Sequence, residues 1–165
     1  MISKKRFILS TLLAWLVFLM LDFLAHAGLF TSLWAEDLPA LKSKGTLFRL
    51  IPLGYLSFLI LTFLIGWIYV RLFNTRGSVR KGLGFGMTFG LLFSLSIFLG
   101  WYSFINLPIL FLLMASLVYF TEISSVGFVY GFLLHPVSVK KRIWGLLAII
   151  FMGLVLGIAL QNILS

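Results

Sequence analysis

Five long apolar runs, divided by short clusters of Lys and Arg, dictate what this chain can fold into. They cover approximately Phe7–Phe30, Leu47–Val70, Leu83–Phe104, Ile109–Leu134 and Ile143–Leu164. Crossing roughly 30 Å of hydrocarbon takes about 20 helical residues, and every run is that long. In lipid each backbone N–H and C=O needs an internal partner, so continuous apolar runs cross as helices. A transmembrane barrel would instead show segments of about ten residues alternating apolar and polar. The expectation is an all-α polytopic membrane bundle of five transmembrane helices, one domain over residues 1–165. Composition closes off the soluble alternative. The chain is 62% apolar and 10% charged, whereas soluble domains carry about 25% charged residues.

The net charge of +9 is a topology signal rather than a nucleic-acid signal. Binding nucleic acid needs a basic face on a folded domain, and here the basic residues sit between the apolar runs. Lys4, Lys5 and Arg6 precede the first run. Arg71, Arg76, Arg80 and Lys81 separate the second from the third, and Lys140, Lys141 and Arg142 separate the fourth from the fifth. Ten of the thirteen basic residues thus fall on one side, which predicts a cytoplasmic N-terminus and an external C-terminus. Lys42, Lys44 and Arg49 on the other side are offset by Glu36 and Asp37. The start also resembles a signal peptide, with Lys4–Arg6, an apolar run and Ala25-His26-Ala27 in sequence. Asp22 interrupts that run, and cleavage would leave four spans in the same orientation.

Helices in lipid associate through close packing and hydrogen bonds, and small residues four apart allow the approach. Gly82, Gly86 and Gly90, continued by Ser94, form such a face on the third run. Gly127 and Gly131 do so on the fourth, Gly153 and Gly157 on the fifth. These faces suit packing within the chain or a contact with a membrane protein partner or a second copy. Gly84 belongs to no phosphate loop, since no Gly-Lys-Ser/Thr follows it. The chain has no Cys, hence no disulfide, thiolate metal site or cysteine nucleophile. Trp34, Trp67, Trp101, Tyr102 and Trp144 fall near run ends, as interfacial belt residues do. In the connection Thr31–Gly45, Trp34, Leu38 and Leu41 recur near helical spacing, although Pro39 interrupts them. That segment reads as a surface-lying helix or an irregular lid over the bundle.

An ionisable side chain within a span is a functional hypothesis by default. Three qualify: Asp22 and His26 on the first run, and Glu122 on the fourth. Asp22 and His26 are four apart and share a helix face. A carboxylate beside an imidazole can orient a base, bind an ion or relay a proton. At about 1.5 Å per residue, Asp22 lies about 22 Å from the cytoplasmic edge, at a depth similar to Arg49. An Asp22–Arg49 ion pair and an outward-opening site are both consistent with that placement. Glu122 lies about 20 Å from the external edge with no basic residue at its depth. It is expected to rest protonated, because burial without a counter-charge disfavours the anion. Thr62 and Thr88 share its slice and Ser125 follows one turn later; these hydroxyls are its expected partners. It serves either proton or cation passage, or a neutral role as interhelical glue. The pair and Glu122 are separated by roughly 10 Å in depth, too far for one metal centre. No metal site and no cofactor is expected.

The phrases Leu21-Asp22-Phe23-Leu24-Ala25-His26 and Ile51-Pro52-Leu53-Gly54-Tyr55, with the glycine-rich Gly82–Gly90, resemble small bacterial multi-pass membrane proteins of the domain-of-unknown-function type. The resemblance covers about a third of the chain, implies a bacterial inner-membrane location and brings no activity with it. Three functions remain open. The first and preferred one is a small carrier or permease-like subunit using Glu122, with Asp22, His26 and Arg49 near its external mouth. The second is a non-catalytic membrane partner or assembly subunit packing through its Gly faces. The third is a lipid-modifying enzyme with Asp22 and His26 as acid and base.

Overall fold

The computed structural model describes residues 2–35, 40–73, 78–134 and 139–164. It is helical throughout, with no strand among the described residues. Five helices are long and apolar enough to cross a membrane. The first, α1 (Lys4–Phe23), continues without a break into a π-helical turn, Leu24–Leu29, and is followed by a short α2 (Thr31–Ala35). Then come α3 (Lys44–Phe73), α4 (Val79–Phe104), α5 (Ile109–Leu133) and α6 (Val139–Leu164). Successive long helices run antiparallel, so α1, α4 and α6 begin on one side, here the basic side, and end on the far side.

The helices begin earlier on the basic side than the apolar runs do. The structure starts α1 at Lys4, α4 at Val79 and α6 at Val139 rather than at residues 7, 83 and 143; on the far side α3 likewise starts at Lys44 rather than 47. Hydropathy marks the part of a helix that lies in lipid. Lys and Arg are good helix formers and extend the helix into the interface. Side-chain caps fix two of these starts. Ser3 accepts from the Arg6 N–H at 3.3 Å and Ser78 from the Lys81 N–H at 3.2 Å, satisfying donors that have no intrahelical partner.

α1 and α5 form the centre. α1 contacts α3, α5 and α6, whereas α4 packs chiefly along α5. Two interlocks hold the basic-side half. The first is a backbone-close crossing of α4 and α5. A methyl group added at Gly86 would lie 2.6 Å from the Ser124 carbonyl oxygen, and one at Gly131 would lie 2.5 Å from that of Ser78. Gly82 and Gly127 face each other so closely that neither has room for a side chain. Gly90 completes the stripe against Phe120 and Ser124. The second interlock is Tyr130, fully buried, whose ring occupies the space left by Gly66. Its hydroxyl donates to Thr11 Oγ1 at 2.8 Å and to the Thr62 carbonyl oxygen at 3.1 Å, joining α5 to α1 and α3.

The end of α5 is held by arginines. Arg6 donates from Nε and Nη2 to the Leu133 carbonyl at 3.0 and 2.6 Å, and Arg142 donates to that of Phe132. The last carbonyls of a helix lack partners and carry partial negative charge, which cations satisfy. On α6, Gly157 faces Phe23, with 2.8 Å between an added methyl group and the ring, and Gly153 faces Met20. The outer faces of α3, α4 and α6 present Phe48, Phe63, Leu92, Phe151 and Ile163 outward, as lipid-facing surfaces do.

Candidate functional site

The far-side half contains a cavity of about 220 Å³ between α1, α3, α4 and α5. α1 contributes Asp22, and the π-helical turn contributes His26. α5 contributes a stripe, Phe111, Ala115, Val118, Tyr119 and Glu122, spaced as one helix face. Phe58 of α3, Trp101 of α4 and Ile105 and Leu107 of the α4–α5 turn complete the walls. Ala40 and Leu41, which precede α3, also line it.

The π-helical turn sets the relation between the two polar residues on the first span. His26 Nδ1 lies 2.8 Å from the Asp22 carbonyl oxygen and 3.2 Å from its Oδ1. A carbonyl oxygen only accepts, so Nδ1 carries the ring proton and the neutral ring has its lone pair on Nε2. The local winding changes from four- to five-residue hydrogen bonds, seen in the Phe30 N–H donating to the Ala25 carbonyl at 2.9 Å. Such turns recur at functional sites.

Glu122 is 1% exposed, and neither carboxyl oxygen has a hydrogen-bond partner among the described residues. It lines the same cavity as Asp22 and His26. The depth interval expected between them is spanned by one continuous space. No group of three His, Asp or Glu side chains among the described residues is disposed to hold a metal ion.

Several expected partners lie elsewhere. Arg49 is exposed on α3 and does not line the cavity; Asp22 pairs with His26 instead. Arg49 is nine residues before Phe58, the α3 residue that does line the cavity, which puts it on the opposite helix face. Thr88 is exposed. α4 turns Gly86 and Gly90 toward α5, and a residue midway between them points away. Thr62 is fully buried in the core near Tyr130, and Ser125 is half-buried; neither lines the cavity. The hydroxyl ligation expected for Glu122 is therefore not made. Equal depth in the bilayer does not imply a shared face.

The aromatic walls were missed by sequence reasoning. Trp101, expected in the interfacial belt, stands edge-on to Tyr119 with ring centroids 6.4 Å apart, and both line the cavity. A usable signal existed in the helical stripe running from Glu122 back to Phe111. Of the expected surface segment, Glu36, Asp37, Leu38 and Pro39 lie outside the described residues, as do Arg76 and His135. No family model, curated protein or solved structure matches the chain.

Proposed function

We propose that this protein is a small carrier subunit of a bacterial inner membrane, in which Glu122 exchanges a proton for cargo at mid-membrane. The observation that carries this reading is the cavity reaching Glu122, whose two buried carboxyl oxygens have no hydrogen-bond partner among the described residues. A carboxyl retained as interhelical glue would be hydrogen-bonded to its neighbours, because an unpartnered buried polar group costs about 1–3 kcal/mol. The Lys and Arg asymmetry supports an N-terminus in the cytoplasm and a cavity on the external side. Asp22 and His26 at its outer part supply a relay through which a proton passes between Glu122 and bulk water.

The test is infrared difference spectroscopy on the reconstituted protein, with Glu122→Gln as the control. The expected result is a carboxyl band that changes reversibly with bulk pH and is absent from the variant. A band indifferent to pH, with Glu122→Gln folding and behaving normally, would remove the carrier reading. A second reading, acid–base chemistry on a membrane-embedded substrate, draws on the Asp22-oriented His26 in the same cavity. It requires turnover by protein that moves no solute. The assembly-subunit reading loses its expected surface, since all seven candidate glycines face other helices of this chain.

A further inference from the structure

We infer that the cavity takes a monovalent organic cation, an ammonium on a compact apolar or aromatic body. This deepens the carrier reading by naming its cargo, and rests on the same cavity.

Charge is the first argument. The chain carries net +9 and has only four acidic residues, yet two of them, Asp22 and Glu122, line this cavity, and among the described residues no Lys or Arg does. In a chain so basic, that exclusion makes the cavity the one described region where a cation meets carboxyl groups without a competing basic side chain. The second argument is the unmet hydrogen-bonding capacity of Glu122. It is 1% exposed and neither oxygen has a partner among the described residues, so an ammonium donating to them would satisfy a buried acceptor pair. The proton that the carboxyl gives up leaves past Asp22 and His26.

The walls decide between a metal ion and an organic cation. A hard metal ion of the calcium type takes six to eight oxygen ligands. Away from its polar residues, this cavity presents Phe58, Trp101, Phe111 and Tyr119. Aromatic faces and edges suit an apolar body, and the faces attract a cationic head. Size agrees. A dry cavity of about 150 Å³ holds benzene, so about 220 Å³ has room for one ring and a short amine arm.

The experiment is calorimetric titration of the purified full-length protein with three probes of nearly equal shape: phenethylamine, 2-phenylethanol and phenylacetate. Phenethylamine is expected to bind, and the neutral and anionic probes to bind at least about thirtyfold more weakly, the low end of what one partner of a buried charge pair is worth. Glu122→Gln should weaken the amine by a similar factor and leave the alcohol unchanged. Equal binding of amine and alcohol, preference for the carboxylate, absence of amine binding, or full amine affinity in Glu122→Gln would each overturn the inference. The three-probe comparison on the native sequence decides the matter even if the variant does not fold. Uptake of labelled phenethylamine into proteoliposomes separates the two claims. Binding without uptake removes the carrier and keeps the ligand class. Coupled proton movement in a protein that ignores the amine removes the ligand class and keeps the carrier.

Discussion

The two halves of α5 are built to opposite rules. From Ile123 to Leu133 its surroundings are filled to backbone contact. Gly127 and Gly131 meet Gly82 and Gly86, Tyr130 is hydrogen-bonded across three helices, and arginines hold its final carbonyls. From Phe111 to Glu122 the same helix faces a cavity, with an ionisable group that no described neighbour satisfies. In a bilayer, close packing supplies most of the association between helices. A half that forgoes packing and keeps an unpartnered carboxyl is therefore weaker as structure and more informative about function. The tight half supplies the rigidity that lets the open half exist.

The largest effect expected is at the tight crossing. Gly127→Leu forces a branched side chain against the α4 backbone, where no flexible side-chain end can yield. Overpacking costs typically 1–3 kcal/mol and occasionally more, and contact with backbone places this case at or above the upper end. The variant should fail to give a monodisperse peak on size-exclusion chromatography. The matched substitution in the open half, Ala115→Leu, adds the same kind of volume to the cavity wall. Because the added atoms enter open space rather than backbone, it should destabilise clearly less than Gly127→Leu and still give a folded protein, while abolishing phenethylamine binding. If both variants fold, or both fail, the distinction between the halves is wrong.

Glu122 offers the next test. Replacing a buried, unpartnered polar group with an apolar one of similar size relieves its desolvation cost, about 1–3 kcal/mol. Glu122→Leu should therefore raise the thermal midpoint while removing amine binding. Function bought at a cost in stability is the signature sought. A variant that is destabilised instead would mean that the carboxyl has structural partners. Tyr130→Phe is the mirror case in the tight half. It removes the hydrogen bonds to Thr11 and the Thr62 carbonyl, and hydrogen bonds between membrane helices are worth on average about 0.6 kcal/mol. A small loss of stability with unchanged amine binding is expected, read by thermal unfolding in detergent and by calorimetry.

The unequal legibility of the two halves has the same origin. Hydropathy is a one-dimensional property, so the five spans, the charge asymmetry and the glycine faces could be read from Gly82, Gly86, Gly90 and Lys4–Arg6 without knowing which helices touch. The site needs a second coordinate, the direction each residue faces once packed. Depth alone grouped Thr88 and Arg49 with Asp22 and Glu122, and packing turned them outward. It also left Trp101 in the interfacial belt, although the α4–α5 crossing rotates it into the cavity. The π-helical turn at Leu24–Leu29 has no composition of its own, since Leu-Ala-His-Ala-Gly-Leu fits an ordinary helix equally well. What could be read was the fold and three of the polar residues; what could not was their enclosure.

Thr88→Val sharpens that lesson with the smallest effect. Thr88 sits at the depth of Glu122, and a depth-only account gives it to the carboxyl as a hydroxyl partner. It is exposed on the face of α4 opposite Gly86 and Gly90, toward lipid. Val is close in shape and removes only the hydroxyl, so packing is preserved. Substitutions outside cores and sites stay within about 0.5 kcal/mol, and the stability of Thr88→Val should do so. Its affinity for phenethylamine should match the native chain. A drop in that affinity would mean that α4 rotates in the membrane to bring Thr88 toward Glu122. The glycine crossing forbids such a rotation, because turning α4 by half a turn would withdraw Gly82 and Gly86 and drive the larger Leu91 and Leu95, now on the outer face, against α5.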